Sequence, residues 1–135
     1  MTGPGRAEKR NLTGVWNGLY TYRDGRSTSF VATLIDSGGA LSGTTHEQST
    51  SGTPAAMLFA SLAGARSDSA VTFTKTYDKP DVFHRSPIRY DGALNGEGTE
   101  IEGRWIIMLF WSGKFLMVRS AGQEMKAERK AYERT

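Results

Sequence analysis

The chain has 135 residues, 38 % of them hydrophobic, with 16 Gly, 4 Pro and no Cys. That length buries one core and no second one, the composition belongs to a folded chain, and the lack of Cys excludes a disulfide framework or a thiolate metal site. The net charge of +3 resides outside the central region, because residues 12–120 carry ten Lys/Arg and ten Asp/Glu. No clustered basic stripe with exposed aromatics accompanies it, so no nucleic-acid partner is expected.

Residues 1–11 read as a polar, flexible tail; residues 1–10 lack the apolar run of a signal peptide. The strongest apolar run, 105–111, is too short to span a membrane. A cytoplasmic protein with no membrane partner is the expectation, and the absence of Cys fits a reducing compartment. Asn11-Leu12-Thr13 is then a coincidental glycosylation sequon.

Turn signals follow in chain order at Asp24-Gly25, Asp36-Ser37-Gly38-Gly39, Arg66-Ser67-Asp68-Ser69, Asn95-Gly96-Glu97-Gly98 and Ser112-Gly113. Gly, Asn and Asp supply the positive-φ positions of tight hairpins. Between the turns, side chains alternate with period two. The alternation predicts eight strands over 12–22, 28–36, 40–47, 56–65, 70–77, 87–95, 99–110 and 114–120. Even spacing without helices implies an all-β, up-and-down antiparallel meander over 12–120, closed into an eight-stranded barrel that leaves no exposed edge. Longer connections at 48–55 and 78–86 fall where function tends to sit. The charged tail 121–135 could form a helix, with Met125 and Tyr132 seven residues apart against the barrel.

Leu12-Thr13-Gly14-Val15-Trp16 resembles the first strand of avidins and lipocalins, the calycin group, and Arg119 stands where that group carries a basic residue packed across the Trp. The resemblance implies that Trp16 and Arg119 close one end of the barrel by a cation over an indole face. Leu41-Ser42-Gly43-Thr44-Thr45, the strand at 70–77, and Tyr90-Asp91-Gly92-Ala93-Leu94 followed by Ile101-Glu102-Gly103-Arg104-Trp105 are similar to strands of avidin and streptavidin in the same order. The biotin-binding residues do not carry over. The third-strand Tyr falls on Thr45, the two fifth-strand Trp on Phe73 and Tyr77, and one sixth-strand hydroxyl on Ile88; Ser86 and Trp105 alone keep the family's residue. A site that has lost its hydrogen-bonding partners is not expected to bind biotin tightly. Trp16-Asn17-Gly18 also resembles nitrobindin-type haem barrels, but those need a proximal His late in the chain, and His46 and His84 are both mid-chain. No haem, metal or other cofactor is expected.

The alternation directs Trp16, Tyr20, Tyr22, Thr45, Glu47, Phe73, Lys75, Tyr77, Ser86, Tyr90 and Trp105 into the lumen. An aromatic wall with a few polar groups describes a small-molecule pocket, and equally a barrel packed solid by side chains. Lys75 has Glu47 as a partner on the same face; it either holds an anionic or carbonyl group of a ligand or lies near the strand end and reaches water. His46 and Glu47 point to opposite faces, and Asp81 with His84 lie in a loop, so no catalytic set is assembled. Strand seven reads as apolar on both faces, which predicts a homo-oligomer, dimer or tetramer, through Ile106, Met108, Phe110 and Trp111. Three functions remain: a barrel binding an apolar or aromatic small molecule, with or without an anionic group; an isomerase- or cyclase-type barrel enzyme using Lys75, a Tyr or Glu47; and a filled barrel with a structural or interaction role.

Overall fold

The computed structural model describes residues 11–48, 57–78 and 86–119. Its elements are β1 (Gly14–Thr21), β2 (Ser27–Ser37), β3 (Ala40–Gln48), β4 (Met57–Ser67), β5 (Ala70–Tyr77), β6 (Ile88–Leu94), β7 (Glu100–Ile107) and β8 (Trp111–Val118). Each strand pairs antiparallel with the next, and β1 pairs with β8, so the eight form a closed barrel with no helix among the described residues. The alternation drives this. On β2, Thr28, Phe30, Ala32, Leu34 and Asp36 face in, while Ser29, Thr33 and Ile35 face out. Closure pairs the last open edge and puts all the inward apolar residues into one core.

Gly38 and Gly39, at φ +61° and +98°, reverse the chain between β2 and β3, the mirror-image turn whose twist matches the strands. At this end the barrel is sealed. Trp16 donates its indole N–H to the Leu12 carbonyl at 2.9 Å, and the Arg119 guanidinium stacks over the indole with its carbon 4.6 Å from the ring centre. Arg119 also donates to the carbonyls of Asn11, Thr13 and Gly98. Beside it the Asp36 carboxylate accepts from Leu12 N–H, Gly39 N–H and Arg66 Nε. Burial pushes the Asp36 carboxyl up, but Arg66 and the two backbone donors outweigh it and hold the group below the usual range.

The turn between β7 and β8 is not where the glycine placed it. Ser112 and Gly113 both lie within β8, and the chain reverses at Met108-Leu109, with φ +53° and +70°. Phe110 N–H donates to the Ile107 carbonyl across this turn at 3.2 Å. Gly113 serves a different need. A Cβ there would sit 1.9 Å from the Thr21 carbonyl oxygen and 2.5 Å from Trp105 Nε1, so only Gly admits the Trp105 indole. β7 therefore stops at Ile107, and it has no outer stripe of Ile106, Met108 and Phe110. Ile106 is half-buried on the outer wall, Met108 and Phe110 are exposed in the turn, and Trp111 begins β8. Ile106, Met108, Phe110 and Trp111, expected together at an oligomer interface, therefore do not share one strand face. The tails 1–10 and 121–135, with Met125 and Tyr132, and the loop residues Asp81 and His84 lie outside the described residues.

Candidate functional site

The opposite end of the barrel holds a polar cluster. Strand alternation turns Tyr20 inward from β1, Glu47 from β3, and Lys75 and Tyr77 from β5. These strands are not neighbours; only closure brings their inner faces together. Three donors converge on one carboxylate. Tyr20 donates to Glu47 Oε2 at 2.5 Å, while Lys75 Nζ at 2.5 Å and Tyr77 at 2.9 Å donate to Oε1. Lys75 is 1 % exposed, so it does not reach water. Its ammonium also lies about 5 Å from the ring centres of Tyr20, Phe30 and Tyr77, at 5.0, 5.2 and 4.8 Å. Ring faces and a carboxylate replace the water that a buried cation loses.

The buried surroundings shift the titrating groups. Burial pulls the Lys75 ammonium below its ordinary value, and the Glu47 carboxylate opposes that without cancelling it. Burial pushes the phenols of Tyr20, Tyr77 and Tyr90 well above theirs, with neighbouring tyrosines and Glu47 adding to the rise.

Below the cluster aromatic rings pack against one another in the lumen. Phe73 stacks on Tyr90 at 4.8 Å between ring centres, and Phe115 meets Tyr90 edge-on at 4.9 Å. Above it, Tyr22, Leu58 and Ile107 form a half-buried rim packed on the core, and Ser86, just before β6, is half-buried. Trp105 joins rim and cluster: its ring meets Tyr22 at 5.6 Å and Tyr20 at 6.3 Å, and its indole donates to the Thr21 carbonyl at 3.0 Å. Thr45, one inward position before Glu47 on β3, is buried with no hydrogen-bond partner for its hydroxyl among the described residues. Its register neighbours Ala32 and Ala60 are small.

Of the residues expected in the lumen, Tyr20, Glu47, Lys75 and Tyr77 thus meet in one network. Trp105 and Tyr22 flank it, Phe73 and Tyr90 belong to the packed layer beneath, and Thr45 and Ser86 stand apart. His46 is on the outer face against Phe59, away from Glu47. The rim residues Leu58 and Ile107 went unread as site residues in the sequence, and so did Phe30 and Arg66. Phe30 packs on Tyr20 at 5.9 Å and on Lys75, and Arg66 pairs with Asp36 at the sealed end at 2.7 Å. The alternation of β2 and β4 points both inward and was the available signal.

Chemically, the cluster is a neutral ion pair with two phenol donors. Glu47 Oε2 accepts from Tyr20 alone among the described residues, so it retains a lone pair for one more donor. No group of three or more His, Cys, Asp or Glu among those residues is placed to hold a metal ion.

No protein-family model matches the sequence, and no curated protein does. The fold is similar to two solved barrels. One is a redesigned β-barrel, with a TM-score of 0.67 and 12 % identity over 85 % of this chain and 95 % of the other. The second is a de novo designed fluorescence-activating β-barrel, with a TM-score of 0.59 and 14 % identity over 80 % and 93 % of the two chains. At such identities the likeness is one of fold.

Proposed function

We propose that the barrel binds one small molecule at the end opposite the Trp16–Arg119 seal, its apolar or aromatic body on Tyr22, Leu58 and Ile107 and a hydrogen-bond donor on Glu47 Oε2. The observation that carries this reading is the convergence of Tyr20, Lys75 and Tyr77 on one buried carboxylate beneath a half-buried apolar rim. A few polar groups set in an apolar concavity is the usual build of a small-molecule site. The fold likeness to a designed fluorescence-activating barrel supports it further. The donor preference replaces an anionic ligand, because Glu47 already occupies the ammonium such a ligand would need. The calycin likeness has its support in the stacking of Arg119 over Trp16.

The test uses 1-aminoanthracene, an aromatic amine whose emission rises in apolar surroundings. A saturable, one-to-one rise is expected, weakened about tenfold or more in Glu47→Gln, the scale of a hydrogen bond to a charged group. No saturable signal, together with native mass spectra free of any retained mass, would leave a filled barrel with a structural role.

The same barrel is read as a homo-oligomer, through a different wall from the one the sequence pointed to. The outward residues of β1 to β5 include no Asp, Glu, Lys or Arg; they are Ser, Thr, Ala, Asn, Gln, His and apolar residues. The charges of the wall are on β6 to β8, at Arg89, Asp91, Glu100, Glu102, Arg104 and Lys114. Charge depletion marks the centre of a protein interface, where desolvating an ion has no return. Thr44→Glu, at the middle of β3, is expected to shift sedimentation from oligomer to monomer without unfolding the barrel. A wild-type protein that sediments as a monomer at micromolar concentration would end this reading.

A further inference from the structure

The turn between β7 and β8 is built against the rules for an exposed turn. Met108, Leu109, Phe110 and Trp111 are 65, 91, 80 and 68 % exposed. The other exposed large apolar residues among those described, such as Val15, Ile35 and Phe59, sit singly on the outer wall, flanked along the chain by inward residues. Four in a row at a tip are a solubility fault unless something uses them.

The backbone makes the same point independently. Met108 and Leu109 take φ +53° and +70°, a region that bulky side chains avoid. The β2–β3 turn uses Gly38-Gly39 for the same conformation. Apolar side chains are therefore kept at this tip where Asn-Gly would serve the fold better, and strain of this kind concentrates where side chains bind or clamp.

The charge around the tip identifies what it meets. Lys114 on β8 and Arg104 on β7 are exposed on the outer wall below it, and Arg23 and Arg26 are exposed in the β1–β2 turn at the same end. Of the acids nearby, Asp24 is paired with Arg26 at 2.7 Å, Asp91, the register neighbour of Arg104, is paired with Arg89 at 3.0 Å, and Asp78 is exposed just beyond β5 at the same end. Glu100 and Glu102 stand toward the opposite end of β7. An apolar tip ending in Trp above a collar of cations has the chemistry of an interfacial anchor: the tip enters the acyl boundary and the collar meets anionic headgroups. A protein partner fits less well, since four residues offer far less than the roughly 800 Å² a stable protein interface takes from each side.

We propose that the β7–β8 tip docks the barrel on an anionic lipid surface, inserting Leu109, Phe110 and Trp111 while Arg23, Arg26, Arg104 and Lys114 face the headgroups. This does not depend on the Glu47 cluster binding a small molecule.

The experiment is co-sedimentation of the full chain with phosphatidylcholine vesicles, pure or with about one-third phosphatidylserine, at low and high salt. Binding to the anionic vesicles, weakened by salt and at least tenfold weaker on pure phosphatidylcholine, is expected. Trp111 gives a second readout, because Trp16 and Trp105 are buried and a blue shift on binding then reports the tip. The decisive variant is Met108→Asn with Leu109→Gly. It suits the turn, should fold at least as well as the parent, and should lose at least tenfold in vesicle binding with no blue shift. Equal binding by that variant, or no binding by the parent to anionic vesicles, overturns the proposal. So does self-association of the parent that the variant abolishes while neither binds vesicles, which would make the tip a contact between copies.

Discussion

Glu47→Ala is expected to lower the unfolding free energy by about 3–5 kcal/mol, a large share of the roughly 5–15 kcal/mol that holds a domain folded. Alanine leaves the Lys75 ammonium at 1 % exposure with only ring faces for company, and it removes the acceptor of two buried phenols. Each buried donor left without an acceptor costs about 1–3 kcal/mol. Water would have to enter the cluster or Lys75 would have to shed its proton, and either outcome forfeits native packing. Lys75→Met removes the cation and leaves Glu47 two phenol donors, so it should cost less than Glu47→Ala. The double variant Glu47→Ala, Lys75→Met carries no uncompensated buried charge, and its cost should fall well short of the sum of the two single changes. Urea unfolding of the four proteins measures this cycle. A Glu47→Ala protein within about 1 kcal/mol of the parent, or strictly additive costs, would mean that the pair is hydrated in solution rather than buried.

Alkali should unfold the barrel steeply from about pH 10, the ordinary value for a phenol. The folded state holds Tyr20, Tyr77 and Tyr90 protonated well above that value, chiefly because burial penalises phenolate. Above pH 10 the unfolded chain releases these protons and the folded one does not, so stability falls as pH rises. Each group contributes about 1.4 kcal/mol per pH unit, and three together about 4 kcal/mol per unit. Lys75 acts with the opposite sign. Its folded value is lowered, so between that value and 10.5 the unfolded chain holds the extra proton and stability rises with pH; above 10.5 that contribution stops growing. The expected profile is flat or slightly rising at mildly alkaline pH, then falls sharply. Tyrosinate absorbance should rise for these three of the five tyrosines only as the far-ultraviolet circular dichroism of the barrel is lost. Three tyrosines ionising with the strand signal intact would show that the lumen is open to hydroxide.

Much of the architecture was readable from local pattern. Period-two alternation is a property of each strand alone, so the strands and their inward faces follow from residues such as Phe73, Lys75 and Tyr77 taken in order. Gly38-Gly39 announces its turn because glycine takes positive φ at no steric cost. Even the pairing of Glu47 with Lys75 was legible as two opposite charges on inner faces, since a buried ammonium needs a counter-charge. What one chain order cannot contain is distance across the lumen. Tyr20, Glu47 and Tyr77 share one carboxylate only because the registers of five strands and the closure of β1 on β8 place their inner faces at one height. The same cause explains the misplaced turn between β7 and β8. Gly113 looked like a turn residue, but the constraint on it comes from the Thr21 carbonyl and the Trp105 indole, 92 and 8 residues away in the chain but next door in the closed barrel. With that glycine taken up by packing, the chain reverses at Met108 and Leu109. Local propensity opposes a turn there, and register, a property of the whole sheet, overrides it.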